Sequence, residues 1–230
     1  EFIGTAFLIL MGGGVVANVV LNKTYGQNSG WIVISFGWAM AVFLGVYISV
    51  KLGGSGHLNP AVTIALAATG AFKSSLVASY LLAQLAGAFT GAVLVWLTYN
   101  KHFEASSDAD LKKAIFCTAP AIRSPLHNLI TEFIGTFVLM FGALAFTPAT
   151  TSLGTLDALP VTLLVLGIGL SLGGPTGYAI NPARDLGPRI AHFLLPIPGK
   201  RDSGWSYSWI PIVGPIAGAL LAAWLFCLLN

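Results

Sequence analysis

Ser55-Gly56-His57-Leu58-Asn59-Pro60-Ala61-Val62-Thr63 and Gly177-Tyr178-Ala179-Ile180-Asn181-Pro182-Ala183-Arg184-Asp185 carry one core, Asn-Pro-Ala, twice in a single chain. Each core opens a moderately apolar segment, 59–70 and 181–192, that is too short for a bilayer crossing, which takes roughly 20 residues. Asparagine suits a helix N-cap, and proline suits the first helical turn, where no amide hydrogen is needed. The two segments therefore read as half-helices that enter a membrane from a loop.

Around them lie apolar runs at 1–21, 31–50, 74–99, 128–147, 158–173 and 207–229, which read as six spanning helices. Their separators carry loop punctuation: Asn22 to Gly30, Gly53-Gly54-Ser55-Gly56, the charged stretch Asn100 to Pro125, Pro148 to Leu156, and Pro196 to Ser206. Composition agrees. Of 230 residues 56% are hydrophobic and 8% charged, with six Trp and fourteen Phe, more apolar surface than one core can hide. A soluble globular domain is excluded, and lipid covers the outside. Residue 1 already lies in an apolar run, so the natural N-terminus is expected upstream, and no signal peptide is read.

The half-helix motif is one element of a longer repeat. Glu1-Phe2-Ile3-Gly4-Thr5 recurs as Glu132-Phe133-Ile134-Gly135-Thr136, and Asn59 and Asn181 follow their glutamates by 58 and 49 residues. Gly87 with Gly91 matches Gly214 with Gly218, small residues four apart that let helix backbones approach in lipid. Three spans per half is an odd number, so the second half enters the membrane inverted. Inverted repeats bring equivalent elements together near the midplane, so the half-helices should meet there N-terminus to N-terminus. Irregular backbone at that depth needs protein or water around it, which implies an aqueous path.

Together these landmarks resemble the aquaporin and glycerol facilitator family, the major intrinsic proteins, over essentially the whole chain. The resemblance implies an all-α membrane protein with six transmembrane helices plus two re-entrant half-helices in inverted three-helix repeats. It implies one channel domain over 1–230, with repeat one at 1–99, a loop at 100–126 and repeat two at 127–230. Such a chain is a passive pore, and four copies associate as a homotetramer. Asp185 directly after Arg184 resembles the glycerol-conducting branch. Both termini would face the cytoplasm of a plasma membrane. That places Lys51 and Lys73 inside but Lys23, Lys101, Lys112, Lys113, Arg123, Lys200 and Arg201 outside, against the positive-inside tendency.

Two helix N-termini aimed at one spot raise a barrier to cations, hydrated protons included, that neutral solutes hardly feel. Asn59 and Asn181, in Asn59-Pro60-Ala61 and Asn181-Pro182-Ala183, can offer amide donors to the path, or can merely cap. Carbonyls of Gly56, His57 and Leu58 and of Gly177, Tyr178, Ala179 and Ile180 have no helix to satisfy them and form an expected acceptor rail. Glu1 and Glu132 are expensive in apolar spans and should face inward. The resemblance makes them braces of the re-entrant loops, with His57 and Asp185 as further loop support. Arg184 should face the pore, where its fork can hold two adjacent hydroxyls. The resemblance adds Phe36, Gly169 and Tyr178 to Arg184 in the narrowest ring. Glycerol facilitators commonly carry Trp at the position given to Phe36 and Phe at that of Tyr178. Water-selective relatives have histidine at Gly169, whose missing side chain should widen the opening.

The net charge of +3 is scattered, which gives no footing to nucleic acid. Cys117 and Cys227 lack disulfide or metal-ligand spacing and read as filler. His102, His127 and His192 sit near span ends and read as interfacial or solvated, as do Trp96, Trp205, Tyr207 and Trp209. No metal or cofactor is implied, and no nucleophile with a base or phosphate loop suggests an enzyme. The reading is a channel for glycerol, water and similar small uncharged solutes. A pore mainly for water, urea or an undissociated short acid is the alternative, ahead of a proton-coupled transporter or a membrane scaffold.

Overall fold

The computed structural model describes residues 1–146 and 152–230. The start of the separator expected at Pro148 to Leu156, and the end of the span expected at 128–147, thus fall partly outside the described residues. Ten α-helices follow in order: α1 Phe2–Val20, α2 Trp31–Lys51, α3 Pro60–Ala68, α4 Val77–Thr98, α5 Asn100–Ala105, α6 Ala109–Ala114, α7 Pro125–Ala145, α8 Leu159–Leu172, α9 Pro182–Leu194 and α10 Ile210–Leu229. Short 3-10 turns, Ser74–Leu76 and Gly154–Ala158, lead into α4 and α8. There is no strand among the described residues.

Six of these elements are long and apolar enough to cross a membrane, α1, α2, α4 with its leading turn, α7, α8 with its leading turn, and α10. The chain is a multi-pass membrane protein. Large apolar side chains such as Ile32, Leu82, Leu163 and Trp224 stay exposed on the outside of the bundle. The span expected from 128 begins at Pro125, whose fixed φ and missing N–H suit the first turn. The charged stretch 100–125 is more ordered than a separator. It folds as α5 and α6, and the Asp108 carboxylate caps α6 by accepting from the Asp110 and Leu111 amides at 2.8 and 3.0 Å.

The two halves pack alike. α4 lies on α1 as α10 lies on α7, and the recurring glycines make both crossings possible. A Cβ on Gly87 would stand 2.2 Å from the Phe2 carbonyl oxygen, and one on Gly218 would stand 2.2 Å from that of Phe133. No real side chain tolerates such contacts, so glycine is required at both. The halves also interlock. The half-helix α3 packs mainly on α10 of the other half and α9 mainly on α4, with Gly187 of α9 so close to α4 that an added Cβ would lie 2.6 Å from the Ala88 Cβ.

Candidate functional site

The half-helices meet end to end through their caps. The Asn59 side-chain oxygen accepts from the Ala61 amide at 2.9 Å, and that of Asn181 accepts from the Ala183 and Arg184 amides at 3.0 and 3.2 Å. Pro60 and Pro182 occupy the first turn of each. Each side-chain nitrogen then crosses to the opposite loop: Asn59 Nδ2 donates to the Ile180 carbonyl at 2.8 Å, and Asn181 Nδ2 donates to the Leu58 carbonyl at 2.8 Å. This reciprocal clasp uses one hydrogen of each amide group. The second meets no acceptor among the described residues, and both asparagines line a cavity, so each keeps one donor for the lumen.

Backbone of unusual conformation leads into both caps. Leu58 and Ile180, one residue before the asparagines, have φ of 50° and 43°, while Gly56 and Tyr178, three before, have 69° and 36°. Gly177 adds a further positive value of 74°. Non-glycine residues in this region cost about 1–3 kcal/mol each, and they persist only where surroundings over-determine them. The glutamates supply the constraint. Glu1 accepts from the His57 and Leu58 amides at 3.0 and 2.8 Å, and Glu132 accepts from the Ala179 and Ile180 amides at 3.0 and 2.8 Å. Ser49 and Gln84 add bonds to Glu1, and Gln84 also donates to Thr63. With the amides held outward, the carbonyls of Gly56, His57, Gly177, Tyr178 and Ala179 receive no protein donor among the described residues. Those of Leu58 and Ile180 accept from the clasp with one lone pair each and keep the other.

A cavity of about 250 Å³ runs along both loops. Leu8, Val42, Val46, Val62, Leu139, Val161 and Val165 supply an aliphatic wall from the helices, and residues 56–59 and 178–181 supply polar backbone. A second cavity of about 420 Å³ opens toward α6, lined among others by Trp31, Asp110, Lys113, Cys117 and Thr118. Trp38, Tyr178 and Arg184 line both, so they form the neck where the two meet. The Arg184 guanidinium carbon lies 4.1 Å above the Trp38 ring, a stacked cation–π contact. Arg184 is only 7% exposed, and no acceptor among the described residues bonds its guanidinium, which leaves those donors for whatever occupies the neck.

The ring assigned from resemblance needs two corrections. Phe36 is 50% exposed and lines neither cavity; the aromatic of the neck is Trp38. Two residues along a helix turn the side chain by about 200°, so when Trp38 faces inward Phe36 faces outward. Gly169 lines neither cavity. A Cβ there would stand 2.9 Å from Tyr178 Cζ and 3.0 Å from its hydroxyl, so glycine makes room for the tyrosine ring, not for solute.

Asp185 supports loops. It accepts from the Thr118 amide and hydroxyl at 2.8 and 2.6 Å and pairs with Arg189 at 2.8 Å, both side chains fully buried. Arg189 also donates to the carbonyls of Thr118, Ser203 and Gly204, which ties α9 to the loops on either side. His57 bonds the Thr63 hydroxyl at 3.1 Å and stacks edge-on with Phe72, and it reaches the cavity wall as well. His192 and Tyr207 are buried, contrary to an interfacial reading; His192 bonds Ser203 at 2.8 Å. Sequence reasoning missed Trp38, Gln84, Thr118 and Arg189. Only Arg189 left a signal, as a cation four residues after Asp185 on a membrane half-helix.

A family model described as "Major intrinsic protein" matches residues 1–226. The "Probable glycerol uptake facilitator protein" of Thermotoga maritima is 57% identical over 230 residues, spanning 98% of this chain and 97% of that protein. The "Glycerol uptake facilitator protein" of Streptococcus pneumoniae strain R6 is 54% identical over 230 residues, spanning 99% and 97%. Among solved structures, the aquaglyceroporin from Plasmodium falciparum superposes with a TM-score of 0.85 at 30% identity, over 98% of this chain and 92% of that one.

Proposed function

The chain belongs to the major intrinsic protein family, and from that premise we propose that it is a passive channel for glycerol, water and other small uncharged solutes. Membership sets it among membrane channels, not enzymes. The observation that carries the solute class is the neck of Trp38, Tyr178 and Arg184. Two aromatic faces stand beside a guanidinium with unpaired donors, and an aliphatic wall opposes free carbonyls below it. A small polyol matches both sides at once, its carbons on the rings and its hydroxyls on the donors and acceptors. A tryptophan at the neck agrees with the glycerol-conducting branch, while Tyr178 stands where that branch commonly carries phenylalanine. The similar proteins named glycerol uptake facilitators support the same solute.

Exclusion of ions and protons belongs to this reading. Arg184 places one fixed positive charge at the neck, and the abutting N-termini of α3 and α9 place about half a charge each beneath it. Residues 1–99, 100–126 and 127–230 work as one pore domain, repeat, loop and repeat. Four copies associate as a homotetramer in the plasma membrane. The carbonyls of Gly56, His57 and Leu58 and of Gly177, Tyr178, Ala179 and Ile180, with the second amide hydrogens of Asn59 and Asn181, pass the solute along.

Purified protein in liposomes tests the function. In a glycerol gradient the vesicles should shrink and then reswell on the seconds scale, with ion and proton gradients held. Shrinkage in which water flux rises without any glycerol-driven reswelling refutes the polyol reading and leaves a water pore. Accumulation of solute above equilibrium refutes a passive channel.

A further inference from the structure

The phenol ring of Tyr178 forms one side of the neck, and the one side chain its buried hydroxyl faces is Ser35 of α2. That single contact holds the tip, and packing sets the tilt of the ring. Behind it are Gly169 and Gly173, where an added Cβ would come within 2.9 Å of Cζ and 2.5 Å of Cδ1 respectively. On its remaining flank stands Trp31, with ring centroids 5.8 Å apart and planes at 78°, an edge-to-face pair.

Trp31 is itself fixed. Its indole Nε1 donates to the Gly169 carbonyl at 3.0 Å. Gly169 lies in the last turn of α8, where carbonyls lose their intrahelical partners, so the indole caps the C-terminal end of α8 from the first turn of α2. One side chain thus ties together the start of one span, the end of another and the ring at the neck. Trp31 lines the wider cavity but not the one below the neck, so it borders the approach without touching solute at the narrowest point.

We infer that Trp31 is a positioning residue for selectivity: through the Gly169 carbonyl and the face of Tyr178 it holds the neck at a width that passes a three-carbon polyol and rejects bulkier ones. The inference rests on the channel reading above. Without the indole, the flank of Tyr178 is empty and the ring tilts away from the lumen. Trp31→Phe keeps an aromatic edge but loses the donor, so its effect is intermediate between wild type and Trp31→Ala.

The test is a solute panel of water, glycerol and the five-carbon polyol ribitol, measured by stopped-flow light scattering on liposomes of equal protein content. In Trp31→Ala the ribitol-to-glycerol permeability ratio should rise about tenfold, the lower end of what a methylene-sized change in a pocket wall does to discrimination. Trp31→Phe should fall between, and Phe36→Ala on the same helix should leave the ratio as in wild type. Where Trp31→Ala does not reach the membrane, Trp31→Leu keeps apolar volume and carries the same expectation. A ratio that stays constant or falls, or fluxes that drop in proportion for every solute, overturns the positioning role. Wild-type protein that passes water but no glycerol overturns the polyol reading above instead, and this inference with it.

Discussion

Replacing Glu132 with alanine should collapse the second re-entrant loop, and the geometry sets the scale. The carboxylate accepts two backbone amides, Ala179 at 3.0 Å and Ile180 at 2.8 Å. Hydrogen bonds to a charged group contribute about 1.5–3 kcal/mol each, so the brace holds about 3–6 kcal/mol. Against it stand Tyr178 and Ile180, at φ of 36° and 43°, which store about 1–3 kcal/mol apiece or about 2–6 together. The two sums are of equal size. Removing the brace therefore lets the backbone relax toward ordinary angles, which swings the Ile180 carbonyl off Asn59 and the Tyr178 ring off the neck. Stopped-flow light scattering should show glycerol flux down at least about tenfold, the cost of losing only 1.4 kcal/mol of organisation, together with a lower thermal midpoint. Glu132→Gln keeps one acceptor but turns an amide donor toward a backbone N–H, and its flux should lie between. An alanine variant that conducts and melts as wild type does would refute the claim that carboxylate and strain balance.

Four further outcomes follow from the site. Trp38→Ala should change the glycerol-to-water ratio while Phe36→Ala leaves it alone; the reverse pattern in the same flux assay would restore Phe36 to the neck. Gly169→Ala should already lower glycerol flux more than water flux, because its Cβ pushes the Tyr178 ring toward the lumen, and equal loss of both would place that glycine elsewhere. Arg189→Met strands the fully buried Asp185, which costs about 3–5 kcal/mol in such pairs, and should lower the thermal midpoint far more than it changes selectivity. Cys117 lines the wider cavity, but burial pushes its thiol up to about 12, so thiolate is scarce at neutral pH and grows tenfold with each unit below that value. A maleimide at pH 7 should leave glycerol flux intact, and rapid block there would contradict the burial.

The elements that repeat were legible because each has a local chemical signature. Asn-Pro marks a cap and first turn wherever it falls, a glutamate in an apolar span must face polar groups, and glycines four apart mark a close crossing. What stayed hidden depended on helix phase. α2 is apolar nearly all round, so no periodicity tells which face of it turns inward, and Phe36 was assigned where Trp38 stands. At Gly169 the sequence shows only that a side chain is missing and not which neighbour fills its room; the neighbour is Tyr178, nine residues on. Gln84 and Thr118 act across the fold, on Glu1 83 residues away and on Asp185 67 residues away, a range over which spacing carries no information.

The reciprocal asparagine clasp has a bearing on ancestry. Neither asparagine finishes its bonding within its own half, because each donates to a carbonyl 121 or 123 residues away in the other. A lone half-chain would leave that amide hydrogen and the facing carbonyl without the protein partner each has here. The duplication written in this chain thus joins two parts that complete each other's caps only when one lies upside down to the other.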